Sequence, residues 1–425
     1  MTRHAKTGRR RKERLLALLM APAVLAGCPQ TEDVPIAANP WVRHTIDDRF
    51  SGADGVKLGD LNGDGRVDLV VPWEESGVVT VHVNPGSARV EQPWPTVQVG
   101  SVGAVEDAVF VDLDDDGNLD VVSCSQGSVK TMHVHWAPAD PSAYMDADAW
   151  KTEPIPVTQG ARKWMFCEPA RIDGKHGVDL VAGAKGDDGR VGWLEAPANP
   201  RDLSAWRWHS LSAASWIMSI VPVDLNGDGL LDIVASDRKG ATRGCFWLLN
   251  RGPGLLQTLP WPIQRISMVA EEAMFLDVSD LDNDGQLDVV VVTDDRELVW
   301  YRPTELLGAG WIPSRINWSE RFGTGKGVRL ADLDLDGQVD IVFTCENAGG
   351  KYGVGWLSRQ SLMVADSWLA QPISATAGAK FDLPQVHDLD SDGDLDVITC
   401  EEATGLGVIW YENPAILGSS VDRSF

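Results

Sequence analysis

The chain has 425 residues and a formal net charge of −25, with 44% hydrophobic and 23% charged residues. That hydrophobic share supplies a large packed core and excludes a disordered chain. The acidity, with no basic stripe and no interleaving of basic and aromatic residues, excludes nucleic acid as a partner.

In chain order, residues 1–14 are basic and residues 15–25 form an apolar run. A run of that length is too short to span a bilayer and reads as a signal peptide, residues 1–27. It ends in Leu25-Ala26-Gly27-Cys28, which resembles the lipobox of bacterial lipoproteins. The resemblance implies lipidation at Cys28, export, and a lipid anchor on the outer membrane or cell surface. Pro29 follows Cys28 where an Asp would signal inner-membrane retention. Residues 28–40 then serve as a short polar tether.

From Trp41 to Pro414 one pattern recurs seven times, at intervals of 52 to 59 residues. A lead-in apolar segment enters an Asp-rich loop, and an aliphatic strand leaves it. Six copies fit D-x-[DN]-x-D-G-x-x-D. Their oxygen-bearing positions are Asp60, Asn62, Asp64 and Asp68, then Asp112, Asp114, Asp116 and Asp120. Next come Asp224, Asn226, Asp228 and Asp232, and Asp280, Asp282, Asp284 and Asp288. The last two are Asp332, Asp334, Asp336 and Asp340, and Asp388, Asp390, Asp392 and Asp396. Oxygen at these places, with a backbone carbonyl at the seventh, suits a hard cation such as Ca²⁺. The Gly at the sixth place permits the reversal that wraps the ligands round one ion. An EF-hand would need Glu at the twelfth place and flanking helices, whereas these loops run straight into strands. About six Ca²⁺ are therefore expected. The copy at residues 171–179 has Arg171 and Lys175 at the first and fifth places, so a side-chain cation is expected there instead of a metal.

Each repeat reads as four strands: lead-in, exit, an apolar third strand that usually holds Trp, and an outer strand opened by Trp94, Trp150, Trp206, Trp261, Trp311 or Trp368. The segment Trp41–Ile46 has the outer-strand pattern but precedes the first repeat, and the last repeat lacks an outer strand. The surplus strand fills the vacancy only if the ends are neighbours, so the array closes into a ring. The predicted fold is all-β: a seven-bladed β-propeller over residues 41–414, with residues 415–425 as a tail. The Asp-Leu-Asn-Gly-Asp-Gly cores of these loops resemble the FG-GAP/VCBS repeat family of calcium-binding propellers. That resemblance implies the fold and the metal. The family's propellers serve as adhesins, carbohydrate binders and domains of polysaccharide-modifying enzymes, so it does not name an activity.

Function is expected where the repeats differ, on the face opposite the calcium loops. Starts of lead-in strands there give Lys57, Glu106, Asp107, Lys163, Trp164, Trp216, Glu272, Lys326, Lys380 and Asp382, and ends of exit strands give Glu74, Lys185, Asp237, Arg238, Asp294, Glu346, Glu401 and Glu402. The predicted ligand-binding set is Glu74, Glu106, Trp164, Lys185, Trp216, Asp237, Arg238, Glu272, Lys326, Lys380, Asp382 and Glu401. Carboxylates, lysines and indoles together suit a carbohydrate, or a protein ligand, bound by a monomer. The alternative is a carbon–oxygen lyase or dehydratase acting on a sugar by β-elimination, with Lys326, Lys380 and Glu401 as catalytic candidates. A looser resemblance to the propeller part of aldos-2-ulose dehydratase-like proteins points the same way. No G-x-S-x-G or H-E-x-x-H motif is present. His133 and His135 read as packing residues. Cys345 and Cys400 share one place in consecutive repeats, so an inter-blade disulfide and buried free thiols are both open.

Overall fold

The computed structural model describes residues 40–256, 258–267, 272–304, 310–359 and 368–414; the leader, Cys28 and the tail from 415 lie outside them. The described residues form seven antiparallel sheets of four strands. Blade one consists of Lys57–Gly59, Asp68–Trp73, Val78–His82 and Thr96–Ser101. Five more blades repeat that order. Blade seven has Gln385–His387, Asp396–Glu401 and Gly407–Glu412, and takes its outer strand, Val42–Asp47, from the other end of the chain. The closing register pairs Val42 with Glu412 and His44 with Trp410. His44 stacks on Trp410 with ring centroids 4.4 Å apart, and its Nε2 lies 2.8 Å from Glu412. Ile46 is fully buried in the wedge that blade seven shares with blade one, beside Leu69, Trp73 and Trp94. Blade seven is thereby completed to four strands, like the other six.

The excess of Trp has a repeated structural cause. Trp94, Trp150, Trp206 and Trp261 sit buried just before or at the outer strands. Each indole Nε1 donates to a carbonyl a few residues upstream: Val90, Tyr144, Pro200 and Leu256, at 2.9 to 3.2 Å. One side chain thus fills the wedge between blades and ties down the loop that leads to the outer strand.

The last Asp of every loop accepts from a backbone amide, and in blades one, two, three and seven it acts as a two-sided clasp. Asp68 Oδ2 accepts from the Leu61 amide at 2.9 Å and Oδ1 from the Asn84 amide at 2.8 Å, joining the loop to the end of the third strand. Asp396 makes the same pair of bonds to Leu389 and Asn413, both at 2.9 Å. Asp179 in blade three does so to Ile172 and Ala196, again at 2.9 Å. This explains why Asp179 persists in a loop that has lost other candidate metal ligands. In the six intact loops the sixth-place Gly lies at φ between 82° and 103°, a region that excludes side chains with a Cβ. In blade three the positive-φ residue is displaced by one place, to Gly177 at φ 95°.

The five described cysteines are free and buried, so Cys345 and Cys400 are not bridged. Cys400 Sγ instead donates to the Ala53 carbonyl at 3.2 Å, across the blade seven to blade one boundary. His135 is buried between Ser123 Oγ at 2.9 Å and Thr152 Oγ1 at 2.8 Å, a packing role.

Two expectations follow. Asp179→Ala leaves two buried amides unpaired and should cost about 1–3 kcal/mol for each. Urea unfolding should show that loss equally with calcium and with chelator, and a loss seen only with calcium would contradict the clasp. A chain starting at Asp48 should lose more than about 3 kcal/mol, since it forfeits a strand's hydrogen bonds and the burial of Ile46. A chain starting at Trp41 should melt like the longer one, and equal melting of both truncations would refute closure by this strand.

Candidate functional site: acidic loops and an axial well

The loops occupy one end of the ring. The first-place Asp accepts from two amides of its own loop: Asp60 from Asp64 at 3.0 Å and Gly65 at 2.9 Å. The same pair recurs at Asp112, Asp224, Asp280, Asp332 and Asp388. The carboxylates are thereby turned toward one another. In blade two, oxygens of Asp112, Asp114 and Asp116 lie within 4.8 Å of each other, and in blade five Asp282 Oδ1 is buried without a hydrogen bond. Burial, and to a lesser degree the neighbouring loop carboxylates, pushes Asp68 up to about 6, Asp120 to about 7 and Asp396 to about 8. An all-oxygen donor set with crowded carboxyls fits a hard divalent cation. The ninth-place Asp could join it only through lone pairs left over from its clasp bonds.

Blade three differs in kind. The Lys175 ammonium sits 2.8 Å from Asp173 Oδ2 and 3.6 Å from Glu195, while Arg171 Nη1 donates to the Gly177 carbonyl at 3.1 Å. Two side-chain cations thus serve groups at the third and seventh places, which in the other loops are candidate metal ligands.

At the other end of the axis, β-strand alternation builds a well of about 190 Å³. Six residues before the first loop position, one side chain per blade turns inward. Blades six, seven, one and two place Lys326, Asp382, Asp54 and Glu106 there. Blades three and four place Met165 and Met218, with Met274 of blade five fully buried at the same position. Six residues after the last loop Asp, a second tier contributes Glu74, Gln126, Lys185, Arg238, Glu346 and Glu402. One arc is charged and the other is lined by methionine. Phe166, Met218 and Phe275 close the floor, with the two phenyl rings 5.4 Å apart and edge to face. Below that waist lies a second chamber of similar size. Its polar groups satisfy one another: Lys57 pairs with Glu168, and Arg329 lies 3.8 Å from Asp277 and 3.4 Å from Gln385. Lys57 therefore belongs to this lower chamber and not to the well.

Of the residues predicted from sequence, Glu74, Glu106, Lys185, Trp216, Arg238, Lys326, Lys380 and Asp382 line the well. Glu272 stands behind it, with Arg238 Nε donating to its carboxylate at 2.8 Å. Three candidates lie elsewhere, each one residue out of phase with the inward positions. Trp164 is fully buried between blades two and three, and its indole donates to Thr158 O at 3.2 Å. Asp237 accepts from the Ser215 amide at 2.9 Å and the Trp216 amide at 2.6 Å. Glu401 is taken up by the amides of Ala379, Lys380, Ala403, Thr404 and Leu406. Sequence reasoning missed Asp54 and Gln126, which counting six places outward from each loop would have found.

The charges in the well are coupled. Lys326, 6% exposed, lies 3.3 Å from Asp382 Oδ2, and Asp382 is 2% exposed. Burial works against the Lys326 charge, but Asp382, Asp54 and Glu346 outweigh it and hold the ammonium above its ordinary range. Burial likewise opposes ionisation of Asp382, yet Lys326 and the Leu383 amide keep that carboxyl low. Asp54 goes the other way, driven well up by burial, Asp382 and Glu106. Glu106 is pushed up to about 7 by burial and by Glu74, against the pull of Lys185 at 3.2 Å. At the lip, Trp216 carries Lys239, Lys185 and Arg238 at 4.6, 4.7 and 5.3 Å from its ring centroid.

A profile of the FG-GAP-like repeat matches residues 60–123, 172–235 and 280–343. A search of curated protein sequences gave no significant match. Among solved structures, the chain is similar to BBS1N in complex with ARL6DN in a mercury-soaked crystal, at 12% identity over 88% of this chain and 95% of that one, with a TM-score of 0.50. The lead-soaked crystal of that complex gives 12% identity, 88% and 97% coverage and a TM-score of 0.52. The exotype rhamnogalacturonan lyase YesX gives 15% identity, 85% and 72% coverage and a TM-score of 0.47. Identities this low speak to fold alone. The chain is a seven-bladed β-propeller, three stretches of which match FG-GAP-like repeats.

Proposed function

We propose that this protein is a calcium-stabilised propeller that binds a carbohydrate in the axial well, at the end away from the acidic loops. The observation that carries the reading is Lys326. The residue is 6% exposed, and its ammonium, with three N–H donors, pairs with Asp382 at 3.3 Å in a well closed below. Sugar hydroxyls, which both donate and accept, suit a lysine and a carboxylate side by side. Trp216 at the lip adds a flat apolar surface on which a sugar ring can stack. At about 190 Å³ the well is smaller than a typical pocket for a drug-sized molecule, so it suits one sugar unit at a chain end. The expected signal peptide, residues 1–27, with Cys28 directly after it supports display of this domain on a bacterial surface as a lipoprotein.

One observation favours a catalytic variant of this reading. Asp54 and Asp382 are neighbours whose environments push them in opposite directions, one toward the protonated and one toward the ionised form. Such a pair can supply an acid and a base for β-elimination. Glu401, committed to five backbone amides, is not available for that role.

A glycan array followed by calorimetry on the calcium-loaded domain tests the binding reading. Lys326→Met and Trp216→Ala should each weaken the sugar by about 10- to 100-fold, the cost of one or two lost polar or stacking contacts. Melting of Trp216→Ala should stay near that of the parent. Asp237→Ala, by contrast, should lower melting first, because it frees two backbone amides. Unsaturated products absorbing in the ultraviolet would select the elimination variant, and no binding across the array would reject both. Chelation should lower the melting temperature of the parent by many degrees, with Asp336→Ala already shifted downward in calcium, while a chelator-insensitive melt would reject structural calcium.

A further inference from the structure

We propose that Arg201 is a tethered rival for the cation in blade two, so that this loop, whose motif is intact, is the last of the six to fill with calcium. The inference rests on the calcium reading above and deepens it. By charge the loop should be among the tightest. Asp112, Asp114, Asp116 and Asp120 give it four carboxylates, where blades one and four have Asn62 and Asn226 at the third place. The structure gives two of those carboxylates to another cation. Arg201 stands in the connection between the third and outer strands of blade three, Arg190–Glu195 and Arg207–Ala213. Its Nε donates to Asp114 Oδ2, and its Nη2 lies 3.5 Å from Asp116 Oδ2. One guanidinium thus bridges the third and fifth places, and its planar fork suits two carboxylates better than an ammonium would. Among the described residues, no other intact loop has these places bridged by a cation from a neighbouring blade; Asp64 in blade one pairs with Arg66 of its own loop.

Arg201 is held at both ends. On its own blade, the carbonyl of Pro200 accepts from the Trp206 indole at 2.9 Å, and the Asp202 carboxylate caps the Ser204 amide at 3.2 Å. On blade two, the guanidinium lies 4.5 Å from the ring centroid of Trp136. That indole is 2% exposed and is itself fixed by a 2.8 Å bond from its Nε1 to Glu153. The arginine therefore has little conformational freedom left to lose on meeting Asp114 and Asp116. A group tethered in this way competes at a high effective concentration, whatever the calcium outside. Arg171 adds to the effect, with its Nη2 3.6 Å from Asp115 in the same loop. Arg201 must leave Asp114 and Asp116 before both can hold a metal, and it is in place to return when calcium falls. The blade-two loop is thus set to respond in a calcium range where the other intact loops are already full.

The test is equilibrium dialysis of the protein against stepped free calcium, with the bound ions counted by elemental analysis. The parent should take up about five ions first and a sixth only at ~10-fold higher free calcium, the scale of one charge-assisted contact that has to be given up. Arg201→Gln should bring that last step down by ~10-fold, into the range of the others. Adding Asp112→Asn to Arg201→Gln should remove the gained ion again, which assigns it to blade two. Melting of Arg201→Gln in saturating calcium should match the parent, which separates a lost rival from a lost fold. Six equivalent sites in the parent, or a weak sixth site unmoved in Arg201→Gln, would overturn the rivalry and leave the calcium reading standing. No bound calcium at any step would strike the calcium reading itself, and this inference with it.

Discussion

The antiparallel pairing of Val42–Asp47 with Gly407–Glu412 is the constraint on which everything else stands. Without it, blade seven has three strands and the array has two open edges. With it, seven near-equivalent lead-in strands are held round one axis in a common register. That register turns a linear repeat into tiers of side chains, because each position along the lead-in strand is presented to the axis seven times. The wedges of Trp and aliphatic residues between blades keep the tiers aligned.

The two ends of the axis then obey different rules. At the loop end the repeat is nearly strict: the last Asp accepts from a backbone amide in every blade, and in the six intact loops the first Asp accepts two amides with a left-handed glycine between. Blade three shows which parts of that geometry are separable. It keeps the clasp through Asp179 while Lys175 and Arg171 take over electrostatic work otherwise open to a metal. At the opposite end the same strand positions hold Lys, Asp, Glu, Met or Gln according to blade, and the ring sums them into one asymmetric well. The lower chamber, where opposite charges pair internally, looks structural by comparison. The upper well instead turns the Lys326–Asp382 ion pair and a ring of further charged side chains toward an open cavity. That contrast within one channel is what directs attention to the upper end as the working site.

Much of this was legible in the sequence. The loop spacing, the glycine at the sixth place and the orphan strand Trp41–Ile46 determined the blade count, the loop face and the closure, because each is a local pattern repeated often enough to outweigh chance. Most well residues were also legible, since starts and ends of strands near the axis can be located from the loops. What the sequence could not settle was phase at single-residue resolution. Trp164, Asp237 and Glu401 each stand next to an inward position, and pleating turns them toward the blade wedge or a neighbouring turn. Small register shifts between residues 105 and 107, 164 and 166, and 217 and 219 make that phase hard to count from sequence alone. Tertiary structure alone decided which charges neutralise which. Lys185 meets Glu106 and Lys326 meets Asp382 because ring closure brings separate blades to one axis, and no spacing along the chain encodes that distance.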